Sequence, residues 1–489
     1  MNAELKDRLK FRRQFIFVNK ELSQFSHWEI IKTGKYFLYV HPDLNYSVIE
    51  KAGKKAVLLG YIIDYRYPEL SNEEIIGKYL DNATGKDSFI KNTNHAGGRW
   101  VLYYSDINDE IMFNDATGMR QIFHFIGGDV TLASTEMLLS VATGEQKSAF
   151  IQKEFVQKII NPDATWFPNT STNFENIKCL ISNTLYDIKN KKVSRFWPIE
   201  RMELNYKDLI QNLHEILSKT PNAIQKRYPL LALGTTSGSD SRISVGYFMH
   251  NCSKEFIMYT IQNRKLTDES PDIRIPAALG RHLGIPHWVI RQTEEVDKDF
   301  EEAYRNNNAN FKPTYYEMAY NLLAGYPQEY LSVQSVMNEI ARQRYAYVPY
   351  NADLHDVRNF TDYGHLEFAG EEFKKWIVEP RQVYKDLKLQ VEDLFFMEQR
   401  MGRWNSANRS DWDLVQEVFE PWNSRIIWLI AMSIHRRHKQ HTKNHVYRDL
   451  FDLSWKAFNE VEINRGHQIN YTRYRTKKLL SKIKRELLG

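Results

Sequence analysis

The stretch L230-L-A-L-G-T-T-S-G-S-D-S-R242 decides how the second half of this chain is read. A short apolar strand over Leu230–Leu233 is expected, a loop of small polar residues follows, and a helical period starts near Ser241. The same alternation continues on both sides. A helix over Leu209–Leu217 is expected before the apolar run, and a helix over Ser241–Met249 after the loop. Strand Phe256–Ile261, helix Asp272–Leu283 and strand Trp288–Ile290 follow. A helical stretch over 294–326 and strand Glu329–Val333 complete the series, and the rest, from Glu339, reads as largely helical. Strands alternating with helices predict a parallel, doubly wound α/β sheet.

Upstream the texture is different. The runs AVLLGYIIDY (56–65), RWVLYYSDI (99–107), EIMFND (110–115) and IFHFIGGDVTLAS (122–134) are β-branched, aromatic and punctuated by Gly, Asn and Asp. They predict antiparallel hairpins. Brief helical patterns occur near Asn72–Tyr79 and Lys153–Ile160, and 183–197 reads as a hairpin turning at Asn190 and Lys191. The pattern changes near 198–206, which divides the chain into residues 1–200 and 201–489. At 489 residues two domains are the natural expectation.

Composition excludes several classes. Hydrophobic residues make up 42% and charged residues 26%, the balance of a globular chain rather than a disordered one. Two cysteines, Cys179 and Cys252, cannot build a disulfide framework or a cysteine-rich zinc site, and they read as small buried residues. No stretch reaches the roughly 20 apolar residues that span a bilayer, and MNAELKDRLKFRRQF lacks a signal-peptide core, so the expected location is cytoplasmic. The net charge of +5 concentrates at the end, in Arg473, Arg475, Lys477, Lys478, Lys482, Lys484 and Arg485. Leu479, Leu480, Ile483, Leu487 and Leu488 fall between them at helical spacing. A basic terminal helix is expected there, with a solvated charged face as its ordinary role.

In a doubly wound sheet, ligands sit beyond the carboxyl ends of the strands. Loop 236–242 is placed there, and its small residues let backbone N–H groups approach an anion at a helix N-terminus. The hydroxyls add donors, and Asp240 is a candidate for the Mg²⁺ that accompanies a nucleotide phosphate. The spacing departs from the Walker pattern, which requires G-x-x-x-x-G-K-[ST].

T236-S-G-S-D-S241 resembles the S-G-G-x-D-S pyrophosphate loop of the N-type ATP-pyrophosphatases, in their asparagine synthetase and β-lactam synthetase branch. The segment S270-P-D-I-R-I-P-A-A-L-G-R-H-L-G-I-P-H287 is similar to that family's S-P-D…A…LG…H segment. G98-R-W-V-L-Y-Y-S-D, D115-A-T-G-M-R-Q-I-F-H-F, A133-S-T-E, I177-K-C-L and F196-W-P resemble its glutaminase domain in order and spacing. The resemblance touches most of residues 95–290. It implies an N-terminal nucleophile (Ntn)-like β-sandwich followed by an ATP-pyrophosphatase domain.

The departures are specific. Glutaminases of this class carry a cysteine directly after the initiator methionine, whereas this chain begins Met1-Asn2-Ala3, so no glutamine hydrolysis is expected. Thr236 and Ser237 stand where the family usually has Ser and Gly. The second acidic motif, S-G-E-G-x-D-E, is matched by L331-S-V-Q-S-V-M-N-E339. Aligned from the right, Asn338 replaces the metal-binding Asp and Glu339 is kept; aligned from the left, Gln334 replaces the first Glu. The family's later lysine has no clear counterpart, which leaves Arg465 and Lys443 as candidate catalytic cations.

The resemblance implies an ATP-dependent ligase that adenylates a carboxylate, releases pyrophosphate and forms an amide with ammonia or an amine. Its cofactors would be ATP and Mg²⁺, and its substrate a small-molecule or peptide carboxylate. Thr236, Ser237, Gly238, Ser239 and Ser241 would hold pyrophosphate. Asp240, Asn338 and Glu339 would form the metal set, with Glu339 also assisting proton transfer. Tyr259 and Thr260 would frame adenine. A nucleic-acid-modifying enzyme with the same loop, or a non-catalytic binding protein, are the other readings, and a homo-oligomer is compatible with each. Two further groups stand out. His435, His438, His441 and His445 have helical spacing, although neighbouring cations favour a solvated face over zinc. Arg400, Arg403 and Arg425 are candidates either for carboxylate or phosphate recognition or for structural ion pairs.

Overall fold

The computed structural model describes residues 3–263, 266–293, 295–310, 312–342, 344–345, 360–440, 444–455 and 461. The expected basic helix at 473–489, together with Arg465, Lys443 and His441, lies outside the described residues.

The first half contains strands β1 (Phe15–Val18), β2 (Glu29–Thr33), β3 (Tyr36–Val40), β4 (Tyr46–Lys51), β5 (Lys54–Asp64) and β6 (Ala96–Ser105). It continues through β7 (Glu110–Asn114), β8 (Phe123–Phe125), β9 (Leu132–Ala133), β10 (Ile177–Cys179), β11 (Thr184–Asp187) and β12 (Lys192–Arg195). They form two antiparallel six-stranded sheets, ordered β10-β8-β9-β1-β3-β2 and β12-β11-β7-β6-β5-β4. Strand periodicity explains the layering, because successive side chains face opposite sides. Val57, Leu59, Val101 and Tyr103 meet Phe15, Phe17, Leu38 and Val40 between the sheets. Their neighbours Ala56, Leu58, Trp100 and Leu102 face outward onto helices Asn72–Asp81 and Lys86–Asn92. On the other sheet, Ile16, Val18 and Tyr39 pack with Leu138 and Leu139 of helix Glu136–Thr143. Strands covered on both faces read as unbroken apolar runs, as 56–65 does. The expected sandwich is present, with helices on both outer faces.

The second half contains a parallel five-stranded sheet of β13 (Leu231–Gly234), β14 (Ile257–Ile261), β15 (His287–Ile290), β16 (Leu331–Val333) and β17 (Val418–Phe419). Its order is β15-β14-β13-β16-β17, and every pairing is parallel. The expected 294–326 helix is two helices, Lys298–Asn307 and Pro313–Gly325. The C-terminal part is not wholly helical, since β17 adds a fifth strand beside β16. Among the described residues, no helix is long and apolar enough to cross a membrane.

The halves are welded together. One core cluster contains Tyr61, Ile63 and Trp197 of the sandwich with Leu213, Val333, Phe419 and Trp428 of the second half. A buried ion cluster sits at the same seam. Arg99, fully buried, donates to Asp413 Oδ1 at 2.5 Å and Oδ2 at 2.8 Å, and to Glu417 at 3.0 Å. Arg120 Nη2 donates to both Glu417 oxygens at 3.0 Å. Burial alone would raise Glu417, yet Arg120, Arg99 and Arg13 hold it down at about 2. Two of the candidate recognition arginines also serve this seam. Arg403 donates to the carbonyls of Phe167 and Ser171, and Arg425 to those of Asn114 and Asp115.

Candidate functional site at the sheet switch point

The strand order reverses at β13, although every strand keeps the same direction. From β13 the chain crosses over helix Ser239–Asn251 toward β14, whereas β16 lies on the opposite side. Such a reversal opens a crevice beyond the carboxyl ends of the two central strands. Loop 235–238 rises on one side of it, and the one-turn helix Met337–Ala341 on the other.

The loop is held from below and across. Thr235 N–H donates to Tyr259 O at 2.8 Å, and Thr260 Oγ1 donates to Thr235 O at 2.7 Å. Ser237 N and Oγ both donate to Asp272 Oδ1, at 3.0 and 2.5 Å. Asp272 lies in the first turn of helix Pro271–Leu283, so the S-P-D segment and the loop meet in space. Thr236 N–H donates to Ser241 Oγ at 3.2 Å. Thr236 is exposed, Gly238, Ser239 and Asp240 are half-buried, and Ser241 is buried. Gly238 is the N-cap of helix Ser239–Asn251 and gives it no side-chain cap. The first N–H groups of that helix therefore face the crevice end with their positive dipole.

Opposite the loop, Asn338 Nδ2 donates to Asp240 O at 2.9 Å, while Asn338 Oδ1 is buried with no hydrogen-bond partner among the described residues. Arg342 Nη2 lies 2.6 Å from Asp240 Oδ2 and 2.7 Å from Glu339 Oε1. Arg344 Nη1 lies 3.2 Å from the same Glu339 oxygen. The Tyr447 hydroxyl contacts Asp240 Oδ1 and sits 2.8 Å from Asn338 O. Burial raises Asp240, and Glu339 adds to the rise against the pull of Arg342. Burial raises Glu339 too, but Arg344, Arg342 and Arg400 outweigh it and hold the carboxyl below its usual range.

These contacts revise the expected metal set. A divalent ion such as Mg²⁺ requires oxygen ligands at about 2.0–2.1 Å in near-octahedral array. The position between Asp240 and Glu339 is instead filled by one guanidinium nitrogen. Asn338 supplies an amide, not a charge, and two carboxylates already face two guanidinium groups. The residues present do not fit a protein-held Mg²⁺ ion. Among the described residues no group of three or more His, Cys, Asp or Glu side chains is placed to hold a metal. His435, His438 and His445 do not share one helical face: a short turn over Arg436–His438 precedes helix His445–Ser454, and His438 stacks on Tyr206. Glu339, for which a proton-transfer role is expected, has its Oε1 engaged by both Arg342 and Arg344.

Tyr259 and Thr260, the expected adenine frame, are both buried near the end of β14. Neighbours on a strand face opposite sides, so Tyr259 turns into the core against Tyr326, with ring centroids 5.1 Å apart. Its hydroxyl meets Ser332 Oγ at 2.7 Å and accepts from Gln334 Nε2 at 2.6 Å. Thr260 Oγ1, besides donating to Thr235 O, lies 2.9 Å from His287 Nε2. Gln334 takes the other alignment's position, and it lies over Gly234, where an added Cβ would come within 2.8 Å of Gln334 Nε2.

Arg400 differs from Arg403 and Arg425. It belongs to a π-helix over Phe395–Asn405 and lies over the Trp404 ring at 3.6 Å and 5.5 Å from Trp166. Its Nε is buried without a hydrogen-bond partner among the described residues, and burial lowers its pKa. π-turns are rare and occur often at functional sites. In the sandwich half, Phe11, Arg12, Arg13 and Gln14 lead into β1, and none is a nucleophile. Cys179 is buried on β10 with its thiol pushed up by burial, and burial pushes Cys252 up to about 12.

No family model matches the chain, and no curated protein matches it. Two solved structures are similar at low level. One is the allosteric regulatory enzyme of purine biosynthesis, at 10% identity and a TM-score of 0.25. That match covers 55% of this chain and spans 65% of the other. The second is glutamine phosphoribosylpyrophosphate (PRPP) amidotransferase from B. subtilis complexed with ADP and GMP. It has 11% identity and a TM-score of 0.25, covering 76% of this chain and 88% of the other. At that TM-score nothing about the chemistry of this chain follows from either.

Proposed function

We propose that this chain is an ATP-dependent, AMP-forming ligase that joins a carboxylate to ammonia or an amine, with a sandwich half that performs no glutamine hydrolysis. The observation that carries the reading is the convergence at the switch point. An uncapped helix N-terminus and a hydroxyl-rich loop face Arg342 and Arg344 across the crevice between β13 and β16. The loop sequence, without a Walker lysine, adds its resemblance to the pyrophosphate loops of asparagine synthetases.

In this reading the β- and γ-phosphates lie on the loop and the first N–H groups of helix Ser239–Asn251, which leaves the α-phosphorus open. A substrate carboxylate oxygen bonds to that phosphorus, and the bond to the bridging oxygen breaks, with its electron pair leaving on pyrophosphate. The amine nitrogen then attacks the acyl carbon, AMP departs, and the nitrogen's proton passes to water. Donors aimed at the leaving group act most strongly as its charge develops. Asp240 and Glu339 orient the arginines in this scheme, and magnesium enters only as a counter-ion carried by the nucleotide. The π-helix places Arg400 beside Glu339's arginines, where a carboxylate would find a guanidinium stacked on Trp404.

The test is a pyrophosphate-release assay across amino-acid, uronic-acid and peptide carboxylates, each with ammonia or a simple amine. AMP and pyrophosphate in equal amounts are expected with one of these classes. ADP and phosphate as products would refute the ligase assignment, because a γ-phosphoryl transfer leaves ADP. The guanidinium clamp on the acidic pair favours a second reading, a nucleotide-binding protein without turnover. ATP binding with silence across all substrates would select it.

A further inference from the structure

We infer that Arg342 occupies the place of a divalent ion, so that this site takes a polyphosphate directly on Arg342 and Arg344 with no metal held by the protein. The inference deepens the nucleotide reading and rests on it for the identity of the ligand, though not for the absence of a metal site. A single nitrogen, Arg342 Nη2, lies within hydrogen-bonding distance of both carboxylates that a metal would bridge, at 2.6 and 2.7 Å. Arg344 adds a second contact to Glu339, and Tyr447 closes on the other oxygen of Asp240. The side chains of Asp240, Glu339 and Arg342 are only 26%, 14% and 21% exposed, so the cluster is sheltered from bulk water.

Charge decides between metal and guanidinium. Asp240 and Glu339 carry two negative charges, and Arg342 and Arg344 already balance them. A divalent ion entering this cluster would leave it with an excess of two positive charges in a half-buried crevice. It would also have to expel Nη2 and strand a guanidinium beside a dication. Arginine keeps its charge at every physiological pH and presents a planar fork that matches phosphate oxygens. Loop 235–238 and the helix N-terminus supply neutral donors, and the guanidinium N–H groups add donors at the place where a metal binds elsewhere.

The experiment uses the full chain and two probes. Electron paramagnetic resonance with Mn²⁺ alone reads metal binding. Isothermal calorimetry reads ATP affinity in Mg²⁺ and in excess EDTA. The wild type is expected to immobilise no Mn²⁺, and Arg342→Ala, with its carboxylates released, to gain a site that Asp240→Asn then removes. ATP is expected to bind in EDTA within about threefold of its affinity in Mg²⁺. The inference is overturned when the wild type itself holds one Mn²⁺ that Asp240→Asn abolishes, or when EDTA weakens ATP by more than about a hundredfold. Should Arg342→Ala fail to fold, Arg342→Lys retains the cation, and the wild-type Mn²⁺ result still decides. Absence of ATP binding in both buffers would sink the nucleotide reading alone, leaving the Mn²⁺ measurement to judge the clamp.

Discussion

Arg99→Met is expected to destabilise the whole chain by about 3–5 kcal/mol, the range found when one partner of a buried ion pair is removed. Arg99 is fully buried, and its two nitrogens hold both oxygens of Asp413. Without it, Asp413 is a buried carboxylate with no other cation at that distance among the described residues. Glu417 loses less, because Arg120 still donates to both of its oxygens. The loss crosses the seam between the halves, and the shared core makes them unfold as one. Urea unfolding followed by tryptophan fluorescence should therefore show a single transition at a lower midpoint. Arg99→Met combined with Asp413→Leu should recover most of the loss, since an apolar pair leaves no charge stranded. Two separate transitions in the single variant would contradict the welded seam.

The second large effect is acid-sensitive stability from two buried histidines. His41 is 3% exposed and His124 8%, and burial pushes each down to about 4 from an ordinary 6.5. Asp43 N–H donates to His41 Nδ1 at 3.0 Å, so that nitrogen must be unprotonated, while Lys178 adds to the drop at His124. The unfolded chain binds a proton at each histidine between pH 6.5 and 4, and the folded chain does not. The contribution is complete above pH 6.5 and is lost as pH falls through the window to 4, by up to about 3 kcal/mol per histidine. Unfolding free energies at about pH 7 and pH 4.5 should show this fall, and His124→Phe should flatten it. A wild-type slope unchanged by His124→Phe would remove that histidine from the account.

Much of the fold was legible because its strands obey simple periods. The runs 56–65 and 99–107 are apolar on both faces since each is covered twice, and 230–261 alternates strand, loop and helix without insertion. β17 was not legible, because Val418 and Phe419 form a two-residue strand flanked by Glu417 and Glu420 with no alternation to see. The loop's own sequence pointed to the crevice, yet its neighbour Tyr259 was misread for want of facing: one residue along a strand is the opposite side of the sheet. The clamp is a matter of tertiary placement. Arg342 reaches Asp240 across 102 residues, although its position three after Glu339 on one helical turn was a local signal. Asp272 belongs to the S-P-D segment, whereas Tyr447 carries no motif that marks it as a partner of the loop. Arg403 and Arg425, candidates for ligand recognition by sequence, satisfy buried backbone carbonyls, a placement that only the tertiary fold reveals.

Hydrogen exchange on the full chain, with and without ATP, tests the central claim most directly. The account predicts slower exchange on ATP addition in peptides covering 235–242 and 334–342, the two sides of the switch-point crevice, with the sandwich strands unchanged. Unaltered exchange at both segments, or protection confined to other parts of the chain, would contradict it.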